Sequence, residues 1–420
     1  MKPGLRFLIA AKRCEITELD QLARTSALVE SVARLIHELQ RERGLSNLYL
    51  ASCGRRWADE RNGQIGKSDA AQARVLACFD DLDTEGGALR LGARLHARIA
   101  YALQGLDALV TLRQRIGAQA TSAAQASADL ARLISALLAV VFEAADSATE
   151  PLISRRLVAL FNFMQGKEFA GQERANGSAM YAAGEPDIQG QQRLLHLIDS
   201  QERCLQTFGE FASPAMWARW LSAPQAEDLV RLERMRRIVS TTPPGQPLCG
   251  ADSQDWFDAC TSRIDTMRRI EEALVAELLG LCRERTACAR LELEQLQAAT
   301  PSAGPDADFF SRPTPTDLAA SDKADSEHAY GHQLGRSMLD LVQDQARRLQ
   351  AMEDELETVR SSLHERKLIE RAKGLLMAHR QLSEEAAHKT MRQMAMSQNR
   401  RLVEVAEAVL AMADVLPSPR

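Results

Sequence analysis

Apolar side chains along this chain recur at intervals of three and four, the spacing of a helix with one buried face. Val32, Leu35 and Leu39 follow it, as do Leu130, Leu133, Ile134, Leu137 and Leu138. The alternation expected of a half-buried strand is absent, so the chain reads as all-α. No proline stands between Pro3 and Pro151. Proline breaks helix interiors, so this gap permits long helices. Gly86-Gly87 predicts a turn, and residues 120–128 an Ala/Ser-rich join. A second helical set starts at Pro151, a residue suited to a first turn, and runs through Leu157, Leu160 and Met164. Further helices are expected near 188–211, 226–239 and 254–296, with a proline-bearing loop at 241–250.

The pattern then stops. Pro301, Pro305, Pro313 and Pro315, set among Ser, Ala and Asp, predict a flexible Pro-rich linker over 300–327. Beyond it Leu349, Met352, Leu356, Val359 and Leu363 are spaced 3, 4, 3, 4, a heptad seam about two repeats long. Such a seam either pairs two helices as a coiled coil, giving a homodimer, or lies as an amphipathic helix on its own domain. The divisions expected are a segment over 1–21, a helical body over 22–299, the linker, a coiled-coil helix over 328–364 and a C-terminal unit over 365–420. Glu42-Arg43, with Ser46 and Tyr49, is faintly echoed by Glu173-Arg174, with Ser178 and Tyr181. The echo marks either two related bundles or a coincidence.

Composition narrows the picture. Aromatic residues make up 5% of the 420, too few for a typical sheet protein, while Ala, Leu, Arg, Gln and Glu favour helix. From His364 onward there are ten basic and seven acidic side chains, a local +3 against −8 for the rest of a chain of net charge −5. A mildly basic tail on an acidic body suits nucleic-acid binding by the tail alone, though chance fluctuation gives the same count. The eight cysteines form no CxxC pair and read as free thiols of a reducing compartment. No apolar run approaches the ~18 residues of a membrane span, and no signal-peptide pattern opens the chain. A cytoplasmic protein is expected. There is no Gly-rich phosphate loop, HExxH or GxSxG, so neither catalytic nor metal-binding residues are assigned, no cofactor is expected, and the chain does not read as an enzyme.

The informative polar residue is Arg43. It lies four residues after Leu39 and eight after Leu35, so on a helix it continues the buried stripe. A buried guanidinium is costly unless paired. It either meets a carboxylate or awaits an anion, and its planar fork suits planar oxyanions. Gly44 and Ser46 leave room beside it.

The stretch from Leu39 to Leu50 resembles the signature of the nitrate- and nitrite-sensing (NIT) domain family. The segment from Phe163 to Arg174 resembles that family's second characteristic helix, and Arg236-Arg237 falls where the family has a further arginine. The resemblance spans roughly residues 22–296. It implies two stacked four-helix bundles holding nitrate or nitrite between them through arginines: Arg43, one of Arg236 and Arg237, and Arg174, which has either a ligand or a structural role. Helical spacing from Leu229 and Leu232 turns Arg236 inward, whereas the family pattern slightly prefers Arg237.

The tail from Leu368 to Met377, then 383–387, 390–395 and 402–410, resembles the ANTAR family of RNA-binding antiterminators. That resemblance implies three helices, the first continuous with a coiled coil. Arg366, Lys373 and Arg380 are spaced by seven and share a face, Lys389 and Arg392 are three apart on the second helix, and Arg400-Arg401 opens the third. With Arg371 these are the candidate RNA contacts, since basic side chains neutralise phosphates and hairpin loops offer splayed bases. Together the two resemblances imply an antitermination regulator that binds leader mRNA hairpins under control of a small inorganic anion. The alternative is a ligand-gated protein-interaction module whose tail only dimerises.

Overall fold

The computed structural model describes residues 3–83, 92–223, 226–248 and 253–298, and, beyond them, 351, 355–357, 359, 361, 364–377, 382, 384–398 and 400–413. The expected linker, Gly86-Gly87, Leu349, Met352, Leu363, Arg380 and Ser383 lie outside the described residues.

Helices α1 (Pro3–Ala51), α2 (Ala58–Asp83), α3 (Gly92–Gly117) and α4 (Ala123–Asp146) make a first bundle. Helices α5 (Pro151–Ala183), α6 (Ile188–Phe211), the short α7 (Pro214–Leu221), α8 (Ala226–Thr241) and α9 (Ser253–Ala298) make a second. The described residues contain no strand. The all-α expectation holds, and the apolar stripes of α1 and α4 lie in one core with Leu157, Leu160 and Phe163 of α5. Each bundle's last helix packs on the other's first, α4 on α5 and α9 on α1. The bundles thus share a seam in which α1 and α5 occupy matching places.

Local chemistry sets the helix ends. Ser122 Oγ accepts the Gln125 N–H and starts α4 at Ala123, so the expected Ala/Ser-rich join over 120–128 is shorter than its composition suggested. Alanine is the strongest helix former, and one N-cap suffices to recruit the run. Glu150 caps α5 ahead of Pro151, and Gly184, at φ +79°, ends it in the left-handed conformation that glycine adopts freely. The expected division at residue 22 falls inside α1, which runs unbroken for 49 residues. Its first half pairs with the end of α9 through Lys12–Glu292, Asp20–Arg290 and Ser26–Cys282 contacts.

The C-terminal unit contains a helix over 364–377 (α10), then α11 (Glu384–Gln398) and α12 (Leu402–Ala413). Ala372, Leu376, Ala387, Met391, Val405 and Val409 form its separate core. Of the heptad seam, Leu356 is buried and Val359 belongs to the core of the two bundles.

Candidate functional site

The seam between the bundles is built from charge. Arg43 on α1 is buried, as the stripe requires, and its fork meets Glu168 of α5 at 2.5 and 3.2 Å. Glu168 also accepts from Gln40 at 2.8 Å and Gln172 at 2.9 Å. Arg236 on α8 is turned inward and bidentate to Glu173 of α5, with both contacts at 2.6 Å. Burial opposes the Arg236 charge, but its hydrogen bonds and attraction to Glu173 outweigh that and hold its pKa above the ordinary value. Arg237, the neighbouring candidate, is exposed.

The echo between Glu42-Arg43 and Glu173-Arg174 has a structural basis. Glu42 receives a bidentate Arg113 from α3, the third helix of its bundle, at 2.7 and 2.9 Å. Glu173 receives Arg236 from the matching helix of the second bundle. The arginine that follows each glutamate turns into the shared seam. A Cβ on Gly171 would sit 2.8 Å from Arg43 Nη2, and one on Gly44 would sit 3.4 Å from Arg174 Nη2. The small residues therefore seat each guanidinium against the opposite first helix.

Arg174 differs from Arg43 in its company. It donates to Thr261 Oγ1 at 3.0 Å and lies 4.8 Å over the Phe257 ring. Among the described residues it has no carboxylate within ion-pair distance. Desolvation, then the charge of Arg43, push its pKa down. On α9, half-buried Arg263 is likewise pushed down, by burial and then by Arg236, and its Nε has no partner. Nothing in the sequence singled out Arg113 or Arg263, since the elements that surround them are distant along the chain. Deeper in the seam, fully buried Lys167 pairs with Glu271, which also accepts from Arg268 at 2.9 Å. His37 lies nearby, its pKa lowered to about 2 by burial, then by Lys167, Arg268 and Arg41.

Apart from Lys373, the described basic side chains of the tail divide into two sets. One set faces the bundles. Arg366 donates to Asn162 and lies 4.8 Å over Phe161, Lys367 pairs with Asp146, and Arg392 meets Asp199 at 3.3 Å. The rings of His388 and His196 are 5.8 Å apart. Lys373 is buried and pairs with Glu370 at 2.9 Å. The other set is open: Arg371, Lys389, Arg400 and Arg401 are exposed, with Arg401 beside Glu365. A cleft of about 1440 Å³ separates tail from bundles and is lined by Arg366, Lys367, Arg371 and Lys373 facing Glu143 and Asp146.

No helix among the described residues is long and apolar enough to cross a membrane, and none of their His, Cys, Asp and Glu side chains cluster as a metal site.

Residues 34–279, more than half of the chain, match the family model described as nitrate and nitrite sensing, and residues 357–410 match that of the ANTAR domain. The chain is 35% identical over 404 residues to a nitrate regulatory protein of Klebsiella oxytoca, an alignment covering 96% of this chain and 93% of that one. It is also similar to the solved structure of the NasR transcription antiterminator, with 32% identity and a TM-score of 0.60 over 98% of this chain and 99% of that one. The helical body and the three-helix tail thus match the two parts of a known regulatory architecture, and this chain belongs to the nitrate- and nitrite-sensing family, in the form that carries an ANTAR domain.

Proposed function

We propose that this protein regulates transcription antitermination in the cytoplasm, binding paired hairpins of leader RNA through its ANTAR tail when nitrate or nitrite occupies the sensor seam. Arg43, Arg174 and Arg236 are the anion's partners in this reading. Arg237 points away from the seam, so Arg236 is preferred of the two.

The observation that carries the reading is the engagement of the tail. Arg366, Lys367 and Arg392 face Asn162, Asp146 and Asp199 of the sensor. Those side chains cannot hold RNA phosphates and sensor groups at once. The docked arrangement is therefore the RNA-free one, and the anion shifts the balance by binding more tightly to the undocked one.

The test is a gel-shift titration of the full chain with a two-hairpin leader RNA and with an unstructured strand of equal length, each with and without nitrate or nitrite. Nitrate or nitrite should strengthen hairpin binding, whereas chloride at the same ionic strength should not. Equal binding of both RNAs, or indifference to the anion, removes the assignment.

A further inference from the structure

The surroundings of Glu168 make up a receptor for a planar oxyanion that is already filled. Its carboxylate takes four contacts from three side chains: two from the Arg43 fork, one from Gln40 and one from Gln172. Arg43, Gln40 and Glu168 are all buried. A planar guanidinium fork with two flanking amides is what a trigonal group with negatively charged oxygens requires. A carboxylate and a nitrate or nitrite ion present the same pair of coplanar oxygens to such a fork.

Comparing the two halves of the seam shows why there is a place for one more anion. Glu168 precedes Arg174 by the same interval that separates His37 from Arg43. The matching position of the first bundle therefore holds an imidazole, neutral at ordinary pH because burial and the neighbouring cations oppose its protonation. Arg43 has a carboxylate on the facing helix, whereas Arg174 faces a helix with His37 in that place. Two guanidinium groups thus share the seam with a single ion pair between them. Asp265, which is exposed, and the buried Glu168 act on Arg174 only from a distance. Glycines at 44 and 171 bring each guanidinium against the opposite helix, so a change at one is felt by the other.

We infer that Glu168 is a built-in competitor for the sensed anion: it occupies the Arg43 cradle in the ligand-free protein, and nitrate or nitrite displaces it there, entering beside Arg174. This rests on the reading of the seam as the anion site. The exchange supplies the differential that a switch needs, because the anion replaces a contact that ties α1 to α5 with one that does not. It also favours planar oxyanions over chloride, since two coplanar oxygens match the parallel donors of the fork, whereas a single sphere meets both only at bent angles.

The sign of one mutational effect separates this role from a structural one. Titration calorimetry of nitrate and nitrite into the full chain should find Glu168→Gln binding at least tenfold more tightly than the unaltered protein, with chloride still excluded. The fold is followed by circular dichroism. The gain should vanish in the double variant Glu168→Gln/Arg43→Gln. A folded Glu168→Gln protein that binds with equal or weaker affinity overturns the inference, because a residue that only holds the site together loses affinity when changed. If that variant does not fold, Glu168→Asp serves instead: its carboxylate is drawn back from the fork, and affinity should rise several-fold, with no rise counting against the proposal. An unaltered protein that binds neither anion removes the sensor reading itself, and this inference with it.

Discussion

The sensor and the tail are both helical bundles, yet they store charge in opposite places. In the sensor, Glu42, Arg43, Lys167, Glu168, Glu173, Arg236 and Glu271 are all buried. In the tail the core is apolar, made of Ala, Leu, Met and Val, and most of the basic groups stand on the surface. Buried ion pairs are expensive to assemble and seldom improve on an apolar core, so a bundle does not gather this many for stability alone. A small monoanion must be stripped of water to be recognised, and a desolvated fork can do that selectively. RNA presents its phosphates in water, and a surface suffices to meet them. On the reading proposed above, the location of the charges follows the size and hydration of what each region binds.

The sharpest way to break the contrast is to remove one partner inside the sensor. Glu173→Ala leaves Arg236 buried without its bidentate carboxylate and strips Gln201 of its acceptor. Loss of one member of a buried pair costs about 3–5 kcal/mol. Urea unfolding should show that loss, and a change under ~1 kcal/mol would mean that solvent reaches the seam freely.

An intermediate effect is expected from pH, at the surface where the two regions meet. The docked His388 ring has its pKa lowered to about 4 by burial, then by Arg203, Lys373 and His196, with Asp199 pulling the other way. Undocked, the ring should return to its ordinary value near 6.5. Docking is thus unaffected above that value and weakens as pH falls from it toward 4, because protons bind the undocked tail preferentially. Going from neutral to about pH 5.5 should weaken docking by at most about tenfold, less where solvent screens the ring. RNA binding without nitrate should rise accordingly, and His388→Gln should flatten the rise. A profile unchanged in that variant assigns the pH response to other groups.

The smallest effect belongs to the exposed pair Arg392–Asp199. Contacts of this kind are worth about 0–1 kcal/mol. Asp199→Asn should raise nitrate-free RNA binding by no more than a few-fold in the gel-shift assay. An increase of a hundredfold would mean that this one contact, rather than the whole docking face, restrains the tail.

Much of this was legible in the sequence where a single helix carries the signal. The proline-free run and the three-four spacing give the bundles, and the stripe through Leu35 and Leu39 turns Arg43 inward. Leu229 and Leu232 do the same for Arg236, against the family pattern's slight preference for Arg237. The echo of Glu42-Arg43 in Glu173-Arg174 was visible, but its spacing differs by one residue, and its meaning depends on Arg113 and Arg236, which arrive from other helices. Periodicity says which way a side chain points and is silent about what it meets there. For the same reason the choice for Arg43 between a carboxylate and a free fork stayed open until Glu168 was placed opposite it. The tail's docking was illegible because it joins two units whose patterns are each complete on their own.

The long pairing of α1 with α9 gives the seam a mechanical reach. Thr261, beside Arg174, lies near the start of α9, whereas Arg285 and Cys288 farther along it border a hollow shared with Ala351 and Glu355. At ~1.5 Å of rise per residue, Thr261 and Arg285 are about 36 Å apart along a rod braced by α1. A tilt of about 5° at the seam would carry the far point by ~3 Å, more than a packed side chain tolerates without shifting. On the reading proposed above, the two helices would act as a lever, with the anion at the fulcrum and the approach to α10 at the moving tip.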